Sequence, residues 1–262
     1  MAATSCLSRS YVDLEGLSDV EATFPFTDPN DLAGTLRDFK YTRCRDFCDH
    51  TVLITGFPIE IFNIHINEDD HADKSPIPRS RRVLYLKYSE ILILTMPGPA
   101  HELASNLFPR QLHMKLAAMN CLDDIIPTGA RTTHLQNVIK EPDKSWGPTG
   151  AGYTTLVLEA AVTDSDGALH RDATIWLEHP ESHVTQVVTM HISGTRPEIV
   201  VSVWKTTQED GATRAQHPQR AIQDQKVCVT LVEGRPTGEG ELCLLFEKFL
   251  SDVHGQGRQS GT

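Results

Sequence analysis

The chain has no apolar run approaching the roughly 18 residues that a membrane-spanning helix needs. Its first stretch, "MAATSCLSRSYVDLEGLSDVE", lacks a hydrophobic signal core, which predicts an intracellular protein, cytoplasmic or nuclear. Excess positive charge is missing too. The formal net charge is -11 over 262 residues. Phosphate-backbone binding is driven by Lys and Arg displacing counterions, so an acidic chain is a poor general nucleic-acid binder, though a local basic groove is compatible with that charge. Six cysteines are scattered through the chain without a framework spacing, and reduced thiols are expected. "CRDFCDH" at Cys44 to His50 has a Cys-x3-Cys spacing, but no second Cys/His pair follows at a finger-like distance. No Ser-His-Asp or Cys-His nucleophile pattern is present. "GPTGAGY" is glycine-rich but lacks the Lys-Ser/Thr of a phosphate loop and precedes a strand.

What is present is a core: 39% of the residues are hydrophobic, enough for one large domain. Residues 1–50 read as a polar N-terminal extension with a short helix near 31–47, residues 51–252 as one domain, and 253–262 as a disordered tail. "TVLITGFPIEIFNIHI" reads as strand with a phase slip near Phe62. "VLYLKYSEILILTMP" reads as two strands joined at Ser89-Glu90. "PGPAHELASNLFPRQLHMKLAAMN" reads as a helix presenting Leu103, Leu107, Leu112, Leu116 and Met119 on one face, with a kink or restart at Pro109. "TTLVLEAAV" is a strand, and "DSDGALHRDATIWLEHP" a helix with Leu169, Ala173, Trp176 and Leu177 inward. "HVTQVVTMHI" and "EIVVSVWK" are further strands. Residues 206–226 read as an inserted loop, and "VCVTLV" with "GELCLLF" as a hairpin. The predicted class is α/β (α+β), with a mixed central sheet flanked by a helix on each side.

Three acids stand out: Glu102 in the first turn of a helix, Asp143 after a proline, and Glu159 within an apolar strand. Each has an ordinary explanation. Pro-Asp is a turn pair, an acid at a helix start favours the macrodipole, and a buried strand acid can be neutralised by Lys or Arg. His101 reads as a capping or packing histidine. The other explanation is that two carboxylates on neighbouring strands share a hard divalent ion, which takes one or two carboxylates with water and substrate phosphate.

"PD" at Pro142-Asp143, "LVLE" ending at Glu159 and "LHRDATIWL" resemble, in that order, the PD-(D/E)XK nuclease-like superfamily, and most closely a fungal branch of uncharacterised proteins. The resemblance runs over roughly residues 80–250. It implies a restriction-endonuclease-like sheet, a Mg or Mn ion held by Asp143, Glu159 and the backbone carbonyl of Ala160, and Glu102 completing the site. It also implies a metal-dependent phosphodiesterase acting on nucleic acid. The pattern asks for Lys two residues after the strand acid, where this chain has Ala161. Arg171, on the following helix with His170, and Lys144 beside the first acid are the candidate replacements. Two alternatives stand beside this: a nuclease-like scaffold turned to a small-molecule substrate of secondary metabolism, and a non-catalytic interaction protein. A homodimer is compatible with each.

Overall fold

The structure, a computed structural model, describes residues 17, 19–43, 47–66, 77–78, 81–163, 166–207 and 219–249. The expected tail lies outside these residues, as do 208–218 of the expected loop. Two mixed sheets form. The first comprises β1 (Val20–Pro25), β2 (His50–Thr55), β3 (Arg82–Leu86), β4 (Ile91–Met96), β6 (Thr133–His134) and β7 (Val138–Lys140), in the order β1-β2-β4-β3-β7-β6. The second comprises β5 (Ile125–Pro127), β8 (Lys144–Pro148), β9 (Leu156–Thr163), β10 (Gln186–Ser193), β11 (Glu198–Thr206), β12 (Ala221–Val232) and β13 (Arg235–Gly238), in the order β13-β12-β11-β10-β9-β8-β5. β1 runs parallel to β2 and β9 parallel to β10. Each parallel pair is joined through a helix, as parallel strands require: α1 (Pro29–Arg43) in the first sheet and α4 (Gly167–Glu178) in the second.

Packing follows the side-chain pattern. Leu32 and Leu36 of α1 and Phe62 of α2 (Ile59–Ile66) cover one face of the first sheet against Val52, Ile54, Tyr85, Leu92 and Leu94. α3 (Pro99–Ala118) lays Leu116, with Phe108 and Leu112 beside it, on Leu156, Leu158 and Val188 of the second sheet. α4 packs in two directions. Ile175 joins Leu53, Leu84, Leu86 and Ile93 of the first sheet, while Ala173, Trp176 and Leu177 meet Val157 and Val187 of the second. α4 is therefore an interlayer helix, which explains why six of its twelve residues are buried. No helix among the described residues is long and apolar enough to cross a membrane. A four-residue α5 (Phe246–Phe249) closes the described chain, with Phe249 in the second core.

Several expectations change. The mixed α/β class holds, but the single central sheet is two sheets, and the chain crosses between them three times: after β4 to β5, back to β6 and β7, and again to β8. Residues 20–43, assigned to the extension, supply β1 and α1 to the first sheet. Ile59–Ile66 is a helix, not a strand. Gly56 turns the chain at φ +67°, the Phe62 N–H donates to the Pro58 carbonyl, and Phe62 stacks on Tyr85 at 4.6 Å. An Ile-x-Ile-Phe-x-Ile pattern satisfies both periods, so the tertiary contact decides. α3 runs through Pro109 without a restart, and its inward face is His101, Ala104, Ser105 and Leu116. Leu103 and Leu107 point outward at 62% and 48% exposure. Ala221–Val232 is a long strand whose hairpin partner is Arg235–Gly238, through a tight turn at Glu233-Gly234 where both φ angles are positive. The segment 241–245 is not a strand.

Candidate functional site

The site forms where the chain leaves β7 and enters β8. Lys144 lies opposite Leu158 in the β8–β9 ladder. Continued one residue, that register sets Asp143 opposite Glu159, and one more sets Pro142 opposite Ala160. Proline has no N–H, so the Ala160 carbonyl receives no ladder bond from it. The Ala160 N–H donates instead to Asp143 Oδ2 at 2.6 Å.

Asp143 and Asp49 each accept three hydrogen bonds. Besides the bond from the Ala160 N–H, Asp143 Oδ1 accepts from Arg82 Nε at 2.5 Å and from His101 Nε2 at 2.9 Å. His101 reaches on through Nδ1 to Asp49 Oδ2 at 2.8 Å. Asp49 in turn accepts from the Gly98 N–H through Oδ1 and from the Val162 N–H through Oδ2, both at 2.8 Å. This approach needs a glycine: a Cβ at Gly98 would strike the Phe47 carbonyl oxygen and come within 2.6 Å of the Cys48 carbonyl oxygen. Burial raises the Asp143 carboxyl, but His101, Arg82 and the Ala160 N–H overcome it and hold the group at about 2. Burial opposes the charge on His101 as well. Asp143 and Asp49, one at each ring nitrogen, outweigh it and lift the imidazole to about 10.

Glu159 answers to different partners. Its Oε1 accepts from Trp176 Nε1 at 2.5 Å and lies 3.2 Å from Lys140 Nζ. Lys140 also meets Asp172 Oδ1 at 3.1 Å and sits 5.8 Å above the Trp176 ring. Burial pushes the Glu159 carboxyl up, Lys140 pulls it down, and Asp172 and Asp143 push it up again, leaving it at about 8. Lys140 loses solvation, yet Asp172 and Glu159 hold its ammonium above the ordinary lysine value.

Of the residues singled out in the sequence, Asp143, Glu159, Ala160 and Arg171 line one cleft together with Arg82, His101, Lys140 and Asp172. Arg171 is turned to Asp19 at 3.5 Å and Asp172 at 3.6 Å. Glu102 does not line the cleft; its carboxylate lies 3.8 Å from Arg82, which does. Lys144 does not line it, because successive strand residues point to opposite faces. The cation beside the strand acid is instead Lys140, three residues before Asp143. Lys140, Arg82 and Asp49 went unread in the sequence. The available signal for Lys140 was a lysine in an otherwise apolar three-residue strand, and Asp49 lay hidden in the cysteine-containing stretch.

The cleft holds about 40 Å³. A buried water needs on the order of 10–15 Å³, so there is room for an ion and a few waters. A small-molecule site typically needs roughly 300–1,000 Å³. Two carboxylates and one backbone carbonyl form a donor set suited to magnesium, which keeps several of its waters. Among the described residues there is no group of three or more His, Cys, Asp or Glu side chains arranged to hold a metal ion. The fit therefore rests on a site of two side chains. The chain matches no family model, and no curated protein or solved structure matches it significantly.

Proposed function

We propose that the protein is a Mg- or Mn-dependent phosphodiesterase of the PD-(D/E)XK nuclease type, with nucleic acid as the substrate class. In this reading the second sheet with α3 and α4 is the restriction-endonuclease-like core. The observation that carries it is that Asp143 and Glu159, each one residue beyond the Lys144–Leu158 end of the β8–β9 ladder, line one cleft with Lys140 at Glu159. Asp143, Glu159 and the Ala160 carbonyl would hold the ion. When bound, that ion supplies Lewis acidity, lowering the pKa of water and neutralising charge at phosphorus.

The protein groups have separable tasks. Ala161 leaves the motif position without a cation, and Lys140 brings one to the same acid from β7. Its ammonium offers up to three donors, enough to touch Glu159 and still face a phosphoryl oxygen. Arg82, between Asp143 and Glu102, presents a guanidinium at the cleft that suits a phosphodiester oxygen. In the hydrolysis, water adds to phosphorus, one P–O ester bond breaks, and the proton from water ends on the departing alcohol. Arg171, tied to Asp19 and Asp172, serves the framework.

A second reading has its own observation. Glu159 is already paired with Lys140 and Trp176, and Asp143 with three donors, so the cleft is internally neutralised, as in a non-catalytic interaction protein. The volume of the cleft counts against the small-molecule alternative. Cleavage of supercoiled plasmid and of a single-stranded oligonucleotide with Mn²⁺ or Mg²⁺, against EDTA, separates the two readings. The phosphodiesterase cuts with metal and loses cutting in D143N, E159Q and K140M. Equal background cutting by all four proteins favours the interaction protein.

A further inference from the structure

We infer that His101, held by Asp49, is a positioning residue that fixes the Asp143 carboxylate for the divalent ion; this rests on the reading of Asp143 as a metal ligand. His101 is 1% exposed, and each of its ring nitrogens faces a carboxylate oxygen, at 2.8 Å and 2.9 Å. An ionised carboxylate only accepts, so both nitrogens must donate. A ring that donates from both nitrogens has no lone pair for a metal, so His101 is not a ligand. Its whole hydrogen-bonding capacity goes into joining Asp49 to Asp143.

The joint is anchored at both ends. Asp49 is fixed by the backbone N–H groups of Gly98 and Val162, and Asp143 Oδ2 by that of Ala160. Val162 and Ala160 are alternate residues of β9. The two acids therefore cap the β9 edge just past Glu159, with His101 spanning them. Without His101, the remaining partner of Asp143 Oδ1 is Arg82, a longer and more exposed side chain that also reaches Glu102. The carboxylate can then turn about its terminal torsion and follow the guanidinium. Groups that orient a metal ligand commonly account for about 10- to 100-fold in metal affinity. The Gly98 contact, the α3 N-terminus and the inward turn of His101 all serve this geometry.

The test is a Mn²⁺ titration of the full chain followed by electron paramagnetic resonance, on wild type, H101A, H101Q and D49N. Each is measured well below its own thermal midpoint. The expected result is a fall in affinity of about 10- to 100-fold in H101A. H101Q should recover most of it, because the glutamine amide can still donate to Asp143, and D49N should fall between. If H101A does not fold, the comparison stands on D49N. Wild-type affinity in folded H101A or, failing that, in folded D49N overturns the positioning role and leaves the metal site intact. A wild type that binds no Mn²⁺ overturns the metal site itself, and the positioning role with it.

Discussion

At the scale of single residues, the two central acids titrate in opposite senses, and this sets a stability profile. Asp143 lies at about 2 in the folded protein, below its ordinary value of about 3.9. Its contribution is complete above pH 4 and is lost as pH falls through 2. His101, at about 10 against an ordinary value of about 6.5, contributes fully below pH 6.5 and loses that contribution as pH rises through 10. Glu159, at about 8, acts the other way from Asp143: the fold favours its protonated form, so stability drains as pH climbs from about 4.3 to 8. Thermal melts in metal-free buffer should therefore peak near pH 4 and decline above it. E159Q should flatten the decline between pH 5 and 8, and a decline unchanged in E159Q would show that Glu159 does not cause it. Lys140 gives a second prediction. K140M leaves Glu159 and Asp172 without their shared cation and should cost roughly 3 kcal/mol in urea unfolding at pH 9, above the Glu159 value of about 8. K140M/E159Q should recover part of that loss, since both members of the pair are gone; strict additivity would mean that the two are not coupled.

At the scale of elements, the N-terminus of α3 approaches the 47–49 segment too closely for a side chain at Gly98. G98A pushes a methyl group into two backbone carbonyls and should cost about 1–3 kcal/mol, read as a lowered urea midpoint with an unchanged slope. Pro109 lies inside a continuous α3, where proline forgoes a helical hydrogen bond. P109A should therefore raise stability, by up to about 3 kcal/mol. The elements also show what was legible. The β3–β4 hairpin, α3, α4 and strands β9 to β11 stand close to where hydrophobic spacing and turn residues put them. Ile59–Ile66 misled because its isoleucines fit two periods. The inward face of α3 misled because the buried side is led by His101, Ala104 and Ser105, chosen for contact with acids and for close approach, while the leucines face out.

At the scale of the whole molecule, the division into two sheets was not readable. The strands of both are alike in composition, and α4 packs against both sheets at once, a long-range arrangement that no local pattern carries. The site divides the same way. Asp143 and Glu159 lie 16 positions apart, just past the end of one two-strand ladder, so both stand within one short stretch of sequence. Arg82 and His101 come from 61 and 42 residues away from Asp143, and no local pattern carries that contact. The net charge of -11 also acts at this scale. Among the described residues, Arg82, Lys140 and Arg171 are the lysine and arginine side chains that line the cleft, beside His101, whose ring nitrogens are both taken up by Asp49 and Asp143. Duplex DNA binding should accordingly show a shallow salt dependence, a log–log slope of about -2 to -3 for two or three phosphates. A slope near -8 would point to a basic surface elsewhere.

The most direct measurement is a calorimetric titration of Mg²⁺ and Mn²⁺ into the wild-type chain, D143A and E159A, with folding of each checked by circular dichroism. One site of about millimolar affinity or tighter in the wild type, absent from both variants, is the predicted result. No binding by a folded wild type, or binding that survives both substitutions, would contradict the assignment of Asp143 and Glu159 as the ligands.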